Sequence, residues 1–298
     1  MNKDYKEFTE EVREGVEAAT QKTVKLQTVK KNNGVVLVGV TIFTEGNTMA
    51  PTIYLESFYE DYKDGKSIDE IICTVILEHD RTDIAGSIDI DFFNYYEKVK
   101  HLLGYKLINA DMNEELLREV PHKRFINFAI VCYCEMPDEI VEKVGKGIIL
   151  IRNEHLDIWG VESETVIEDA IQNMQETNPP ELINMADLLK ELYDDPGQLI
   201  CGKMPMWVLT SKNRQFGAAA MVYGNWLEKI AEEVKEDYYV LPSSIHEVII
   251  LPEKYASDKE YLVKMVREIN EEQVDTEELL ANNIYYYSRD TKKLQIFG

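Results

Sequence analysis

Ser243, Ser244, His246 and Glu247 crowd into a short polar stretch between two apolar runs, 238–241 and 248–251. A serine, an imidazole and a carboxylate are the types that serve as nucleophile, general base and orienting group. Ser244, His246 and Glu247 are therefore the candidate catalytic residues. Asn213 and Arg214 occupy a second polar stretch, 212–216. A guanidinium there offers a forked set of donors that suits a small anion or a peptide terminus, which makes Asn213 and Arg214 candidate ligand-binding residues. The same residue types have a structural use. Serine, asparagine and histidine in turns bond nearby backbone groups, and neighbours in a tight turn rarely converge as nucleophile, base and orienter. Both readings stay open at this point.

Most local signatures of other chemistry are missing. The glycine at 217 opens GAAA, which is neither a dinucleotide-binding nor a P-loop pattern, and no GxSxG elbow or HExxH helix occurs. The five histidines, His79, His101, His122, His155 and His246, are scattered and never paired at metal-ligand spacing. His79, beyond a helical apolar stripe, reads as a core-edge or capping residue. Of the four cysteines, Cys132 and Cys134 are two apart in an apolar run and would share one side of a strand. With no second pair to complete a tetrahedral site, they read as buried thiols, and Cys73 and Cys201 add no framework. No metal site and no cofactor are expected.

With 55 acidic against 32 basic residues, the formal charge is −23. Clustered Lys and Arg supply affinity for nucleic-acid backbone and for anionic membranes, so neither partner is expected. The leading reading is a binding or regulatory protein that engages a protein partner through an acidic surface, leaning away from an enzyme. One alternative is an enzyme or small-ligand binder with its polar site at 212–216 and 242–247. Another is an acidic mimic of nucleic acid, which needs its carboxylates on one contiguous face. Acids spread through nearly every predicted helix favour plain solvation. The opening residues show no apolar signal core, and the longest apolar run, 34–43, is too short to span a bilayer. A soluble, cytoplasmic chain is expected.

The elements that must position these residues centre on 204–252. Extended runs at 206–211 and 217–223 flank the first polar turn. Trp226, Leu227, Ile230, Ala231 and Val234 mark one face of a helix, and runs at 238–241 and 248–251 enclose the second turn. Earlier, Tyr5, Phe8, Val12 and Val16 predict a helix over 4–18, and Asn33-Gly34 predicts a hairpin between 23–31 and 35–44. Ser67 and Glu70 form a capping-box pattern before Ile68, Ile71, Ile72, Val75 and Ile76. A strand is predicted over 125–135, and helices over 163–175, 181–193 and 276–281. A second capping box at Ser257 precedes a helix facing inward with Leu262, Met265, Val266 and Ile269. Hairpins outnumber strand–helix–strand crossovers, so the expected class is α+β with largely antiparallel sheets and amphipathic helices packed on them. The expected organisation is an N-terminal helix–hairpin–helix module over 1–100 and a larger α+β body over 101–298, itself divisible at 200.

The phrases MWVLTSKNRQFGAAAMVY and YYVLPSSIHEVIILPE, with APTIYLESFYEDYKDGKSIDEI and EEQVDTEELLANNIYYYSRD, resemble an uncharacterised bacterial family of unknown function. The resemblance implies an intracellular protein, from genomes rich in mobile elements, and points to a role in conflict between such elements and host defences. It brings no activity, substrate, cofactor or catalytic residue.

Overall fold

Asp4 starts the first helix by accepting the backbone N–H of Glu7 at 2.8 Å, satisfying one of the donors that every helix start leaves open. In the computed structural model, residues 3–45, 50–82, 91–144, 147–192, 205–222 and 224–297 are described. In chain order they form α1 (Tyr5–Thr20), β1 (Thr23–Lys30), β2 (Val36–Phe43), β3 (Thr52–Tyr54), α2 (Glu56–Lys63) and α3 (Ile68–Thr82). Next come α4 (Tyr96–Val99), β4 (Leu103–Asn109), α5 (Glu114–Leu117), β5 (His122–Phe125), β6 (Phe128–Glu135), α6 (Asp138–Val144), β7 (Ile148–Leu150), α7 (Asn153–Trp159) and α8 (Ser163–Thr177). The chain ends with β8 (Pro180–Asn184), α9 (Met185–Leu192), β9 (Trp207–Ser211), α10 (Trp226–Val234), β10 (Tyr238–Pro242), β11 (Val248–Pro252), α11 (Lys259–Gln273), β12 (Tyr285–Ser288) and β13 (Lys293–Ile296). Every strand pairing among the described residues is antiparallel, and the class is α+β.

Two compact units emerge, one from Met1–Phe93 with Met136–Gly147, the other from Asn94–Glu135 with Ile148–Gly298. In the first, the hairpin β1–β2 turns through Asn33 and Gly34, whose φ angles of 58° and 70° are the positive values such a turn needs. β3 adds beside β2. Phe8, Val12 and Val16 of α1 bury against Val24, Val40 and Ile42 of the sheet and Ile71 and Val75 of α3. The capping box at α3 is present: the N–H and hydroxyl of Ser67 both donate to Glu70, whose own N–H donates back to the Ser67 hydroxyl. His79 is buried.

The second unit holds two sheets. One has the order β4-β6-β5, with β7 also on β6; the other runs β13-β12-β10-β11-β9-β8. In the first, strands β4 and β6 are almost wholly buried, and α8 packs on this sheet with Val166, Ile167, Ala170 and Met174 inward. Its other contacts reach the six-stranded half of the unit: the Tyr105 hydroxyl donates to Ala219 O at 3.1 Å, Asn109 Nδ2 to Leu280 O at 3.1 Å, and Phe128 packs on Tyr285.

Several expectations from the sequence are corrected. Residues 217–222 form a 3-10 helix and not a strand, because both sides of β9 are already taken by β8 and β11. The run 181–193 splits into β8 and α9, since Leu182 and Ile183 pair with β9 before the chain turns helical. Residues 276–281 make a turn rather than a helix, held by Ile245 N–H to Glu278 O and Leu280 N–H to Ser243 O. Asp258, not Ser257, caps α11, and Ile269 faces outward, 47% exposed. Cys201 lies outside the described residues.

Candidate functional site

The stretch after β9 folds back on itself through its own side chains. The Ser211 hydroxyl lies 3.1 Å from both Asn213 Oδ1 and Gln215 O, and Asn213 Oδ1 also accepts the N–H of Gln215 at 2.9 Å. This is an asparagine bonding the backbone two residues on, the usual work of Asn in a turn. Arg214 and Phe216 take positive φ, 56° and 54°, and Arg214 N–H closes on Ser211 O at 2.8 Å. The N–H of Asn213 donates to Asn178 Oδ1 at 2.9 Å, tying the turn to the end of α8. Asn213 and Arg214 stand exposed on the outside of this turn.

The second turn, between β10 and β11, meets the first. His246 Nδ1 accepts the N–H of Phe216 at 3.2 Å, and the two rings stack with centroids 5.5 Å apart. Phe216 in turn packs on Tyr133, with the Lys106 ammonium 5.0 Å from its ring. Thr210 donates to His246 O at 2.9 Å. Gly217 fits only because it lacks a side chain: a Cβ there would lie 2.4 Å from Ser211 N and 2.5 Å from His246 O.

The proposed triad has a different geometry from a nucleophile, base and orienter. Ser244 Oγ accepts the backbone N–H of His246 at 3.1 Å, so it serves the main chain of its own turn. With Nδ1 accepting from Phe216, the proton of the neutral ring belongs on Nε2. Nε2 faces Glu278 Oε1 at 3.5 Å. The carboxylate placed against the imidazole therefore comes from Glu278, in the turn after α11, and Glu247 is half-buried at the start of β11. Both ring nitrogens are occupied, and the serine, the asparagine and the imidazole each support backbone. In this geometry the cluster holds two turns and the 276–280 segment together. Glu278 gave no signal in the sequence, because its distance along the chain hides its proximity.

A second feature carried no motif at all. Trp207 on β9 and Trp226 on α10 line one open groove of about 580 Å³ together with Leu182 and Asn184 of β8. The Lys229 ammonium lies 4.8 Å from the Trp226 ring centre, and the carboxylates of Asp187 and Glu233 stand along the rim. The pairing of β8 on β9 sets Asn184 opposite Trp207, and Trp226 of α10 lines the same groove.

The chain matches one family over residues 5–289, nearly its full length. It belongs to DUF5688, a family of unknown function. No curated protein and no solved structure matches it. Membership in DUF5688 supplies no activity to carry over, so the chemistry rests on the residues themselves. Among the described residues no group of three or more His, Cys, Asp or Glu could hold a metal ion, and no helix is long and apolar enough to cross a membrane.

Proposed function

We propose that this DUF5688 member is a non-enzymatic binding protein, working inside the cell, that engages a basic surface of a protein partner. The observation that carries this reading is the charge of −23 together with its placement on outward helix faces. Glu7, Glu10, Glu14 and Glu17 of α1 and Glu260, Glu268, Glu271 and Glu272 of α11 are all exposed. Such fields raise the encounter rate with an oppositely charged protein and reject like-charged ones. The engagement of Asn213, Ser244 and His246 with backbone supports the same reading, because it leaves the candidate catalytic groups with structural work. The family resemblance to chains from mobile-element-rich genomes makes a defence or nucleic-acid-handling complex the first partner to seek. Affinity capture from cells of the source organism tests the reading. A basic protein recovered at about one copy per chain is expected, and its absence across growth conditions would overturn the proposal.

A further inference from the structure

Strand β8 is the last strand of its sheet, with β9 on one side and no strand on the other among the described residues. Its register shows which backbone groups face outward. Lys212 N–H donates to Pro179 O and Met185 N–H to Met206 O, so the odd-numbered residues of β8 bond to β9. Backbone direction alternates along an antiparallel strand, so the N–H and C=O of Leu182 and the N–H of Asn184 point away from the sheet, while the Asn184 C=O serves the first turn of α9. Pro180 shares that outward set, the position where a missing N–H costs the ladder nothing. The side chains of Leu182 and Asn184 line the groove with Trp207, and α10 forms its other wall. An unpaired strand edge beside a helix-walled groove is the arrangement that accepts an added strand: the backbone supplies affinity and the groove reads alternate side chains.

Charge decides the occupant. Two indoles offer faces that attract cations. Lys229, lying over Trp226, is an internal example of that contact. Glu233 on the rim, on a chain of charge −23, favours a positive guest and disfavours an acidic one, while Asp187 is already paired with Lys190 at 2.8 Å. We infer that this groove docks an extended, arginine- or lysine-bearing segment of the protein partner, added as a strand along β8; this rests on the binding reading above and names where it acts.

The test uses the full chain and a fluorescein-labelled peptide of about eight residues, alternating Thr or Val with Arg, followed by fluorescence anisotropy. A second peptide carries Glu at the Arg positions. The Arg peptide is expected to bind and the Glu peptide to bind roughly tenfold more weakly or worse. Leu182→Pro removes an outward N–H without touching a bond to β9, and Glu233→Lys reverses an exposed rim charge; each should weaken the Arg peptide roughly tenfold. Glu233→Lys lies on the surface, so it decides the matter even where Leu182→Pro fails to fold. Equal binding of the two peptides, binding unchanged by Glu233→Lys, no binding of the Arg peptide, or a dimer formed through β8 that excludes it would each overturn the inference. A captured partner held equally by the wild-type chain and Glu233→Lys would reject this groove while leaving the binding reading in place. Loss of both capture and peptide binding would reject the two together.

Discussion

His246 and Phe216 are joined twice: the imidazole accepts the Phe216 N–H at 3.2 Å, and the two rings lie nearly parallel, 15° apart. One side chain thereby fixes the turn after β9 to the turn between β10 and β11. Replacing it leaves a buried backbone donor without its acceptor and removes an aromatic contact. His246→Ala is expected to lose about 2–3 kcal/mol of stability, and Ser244→Ala, which removes one backbone acceptor, about 1 kcal/mol. All three tryptophans, Trp159, Trp207 and Trp226, belong to the same unit as this cluster, so their fluorescence in a urea titration reports both losses. Unchanged midpoints would show that the cluster does not hold the turns.

Gly217 makes a sharper case. Any Cβ at this position meets backbone atoms on two sides, Ser211 N and His246 O, neither of which can rotate away. Gly217→Ala should destabilise the second unit by roughly 3 kcal/mol, at the upper end of what overpacking costs. The same urea titration checks it, and a neutral result would mean that the two turns can separate without penalty.

Much of this arrangement was legible in the sequence, and the part that was not has a physical cause. Periodicity marked α1, α3, α8, α10 and α11, because a buried helix face must repeat about every 3.6 residues. Asn33-Gly34 marked its hairpin, because few residues accept positive φ. The run 217–223 looked like a strand because AAAMV is apolar, but apolar character reports burial and not pairing. The partners that decide pairing, β8 and β11, lie at other points of the chain. The same limit hid Glu278 and the groove between Trp207 and Trp226, where proximity comes from strand order. For Ser244 and His246 the residue types were readable, but their bonds were not: whether a serine faces an imidazole or a backbone N–H is settled by the turn's geometry.

Burial pushes the thiols of Cys132 and Cys134 up to about 12, since a thiolate inside the sheet loses its water. At about pH 8 both therefore remain neutral and unreactive, as only the thiolate attacks alkylating reagents. Cys73 is exposed on α3. Iodoacetamide followed by peptide mass spectrometry should label Cys73 early and leave Cys132 and Cys134 protected until denaturant is added. Early labelling of either β6 cysteine would contradict the buried placement of that strand.

The capping box at α3 predicts a dependence on pH. Donation from the Ser67 N–H and hydroxyl holds the Glu70 carboxyl below its ordinary range. A group whose folded pKa is depressed stabilises the fold above its unfolded pKa and loses that contribution as pH falls through the folded one. The wild-type chain should therefore melt above Glu70→Gln near pH 7, with the gap closing as the pH falls through and below the ordinary glutamate range. A gap that stays constant with pH would show that the carboxylate's charge plays no part in the cap.

The acidic exterior is the centre of the account, and its most direct test is the salt dependence of partner affinity. For the recovered partner, Kd measured by isothermal titration should rise steeply between about 50 and 300 mM salt, because exposed charge pairs are screened over that range. A Kd that hardly moves with salt would contradict the claim that the acidic surface makes the contact.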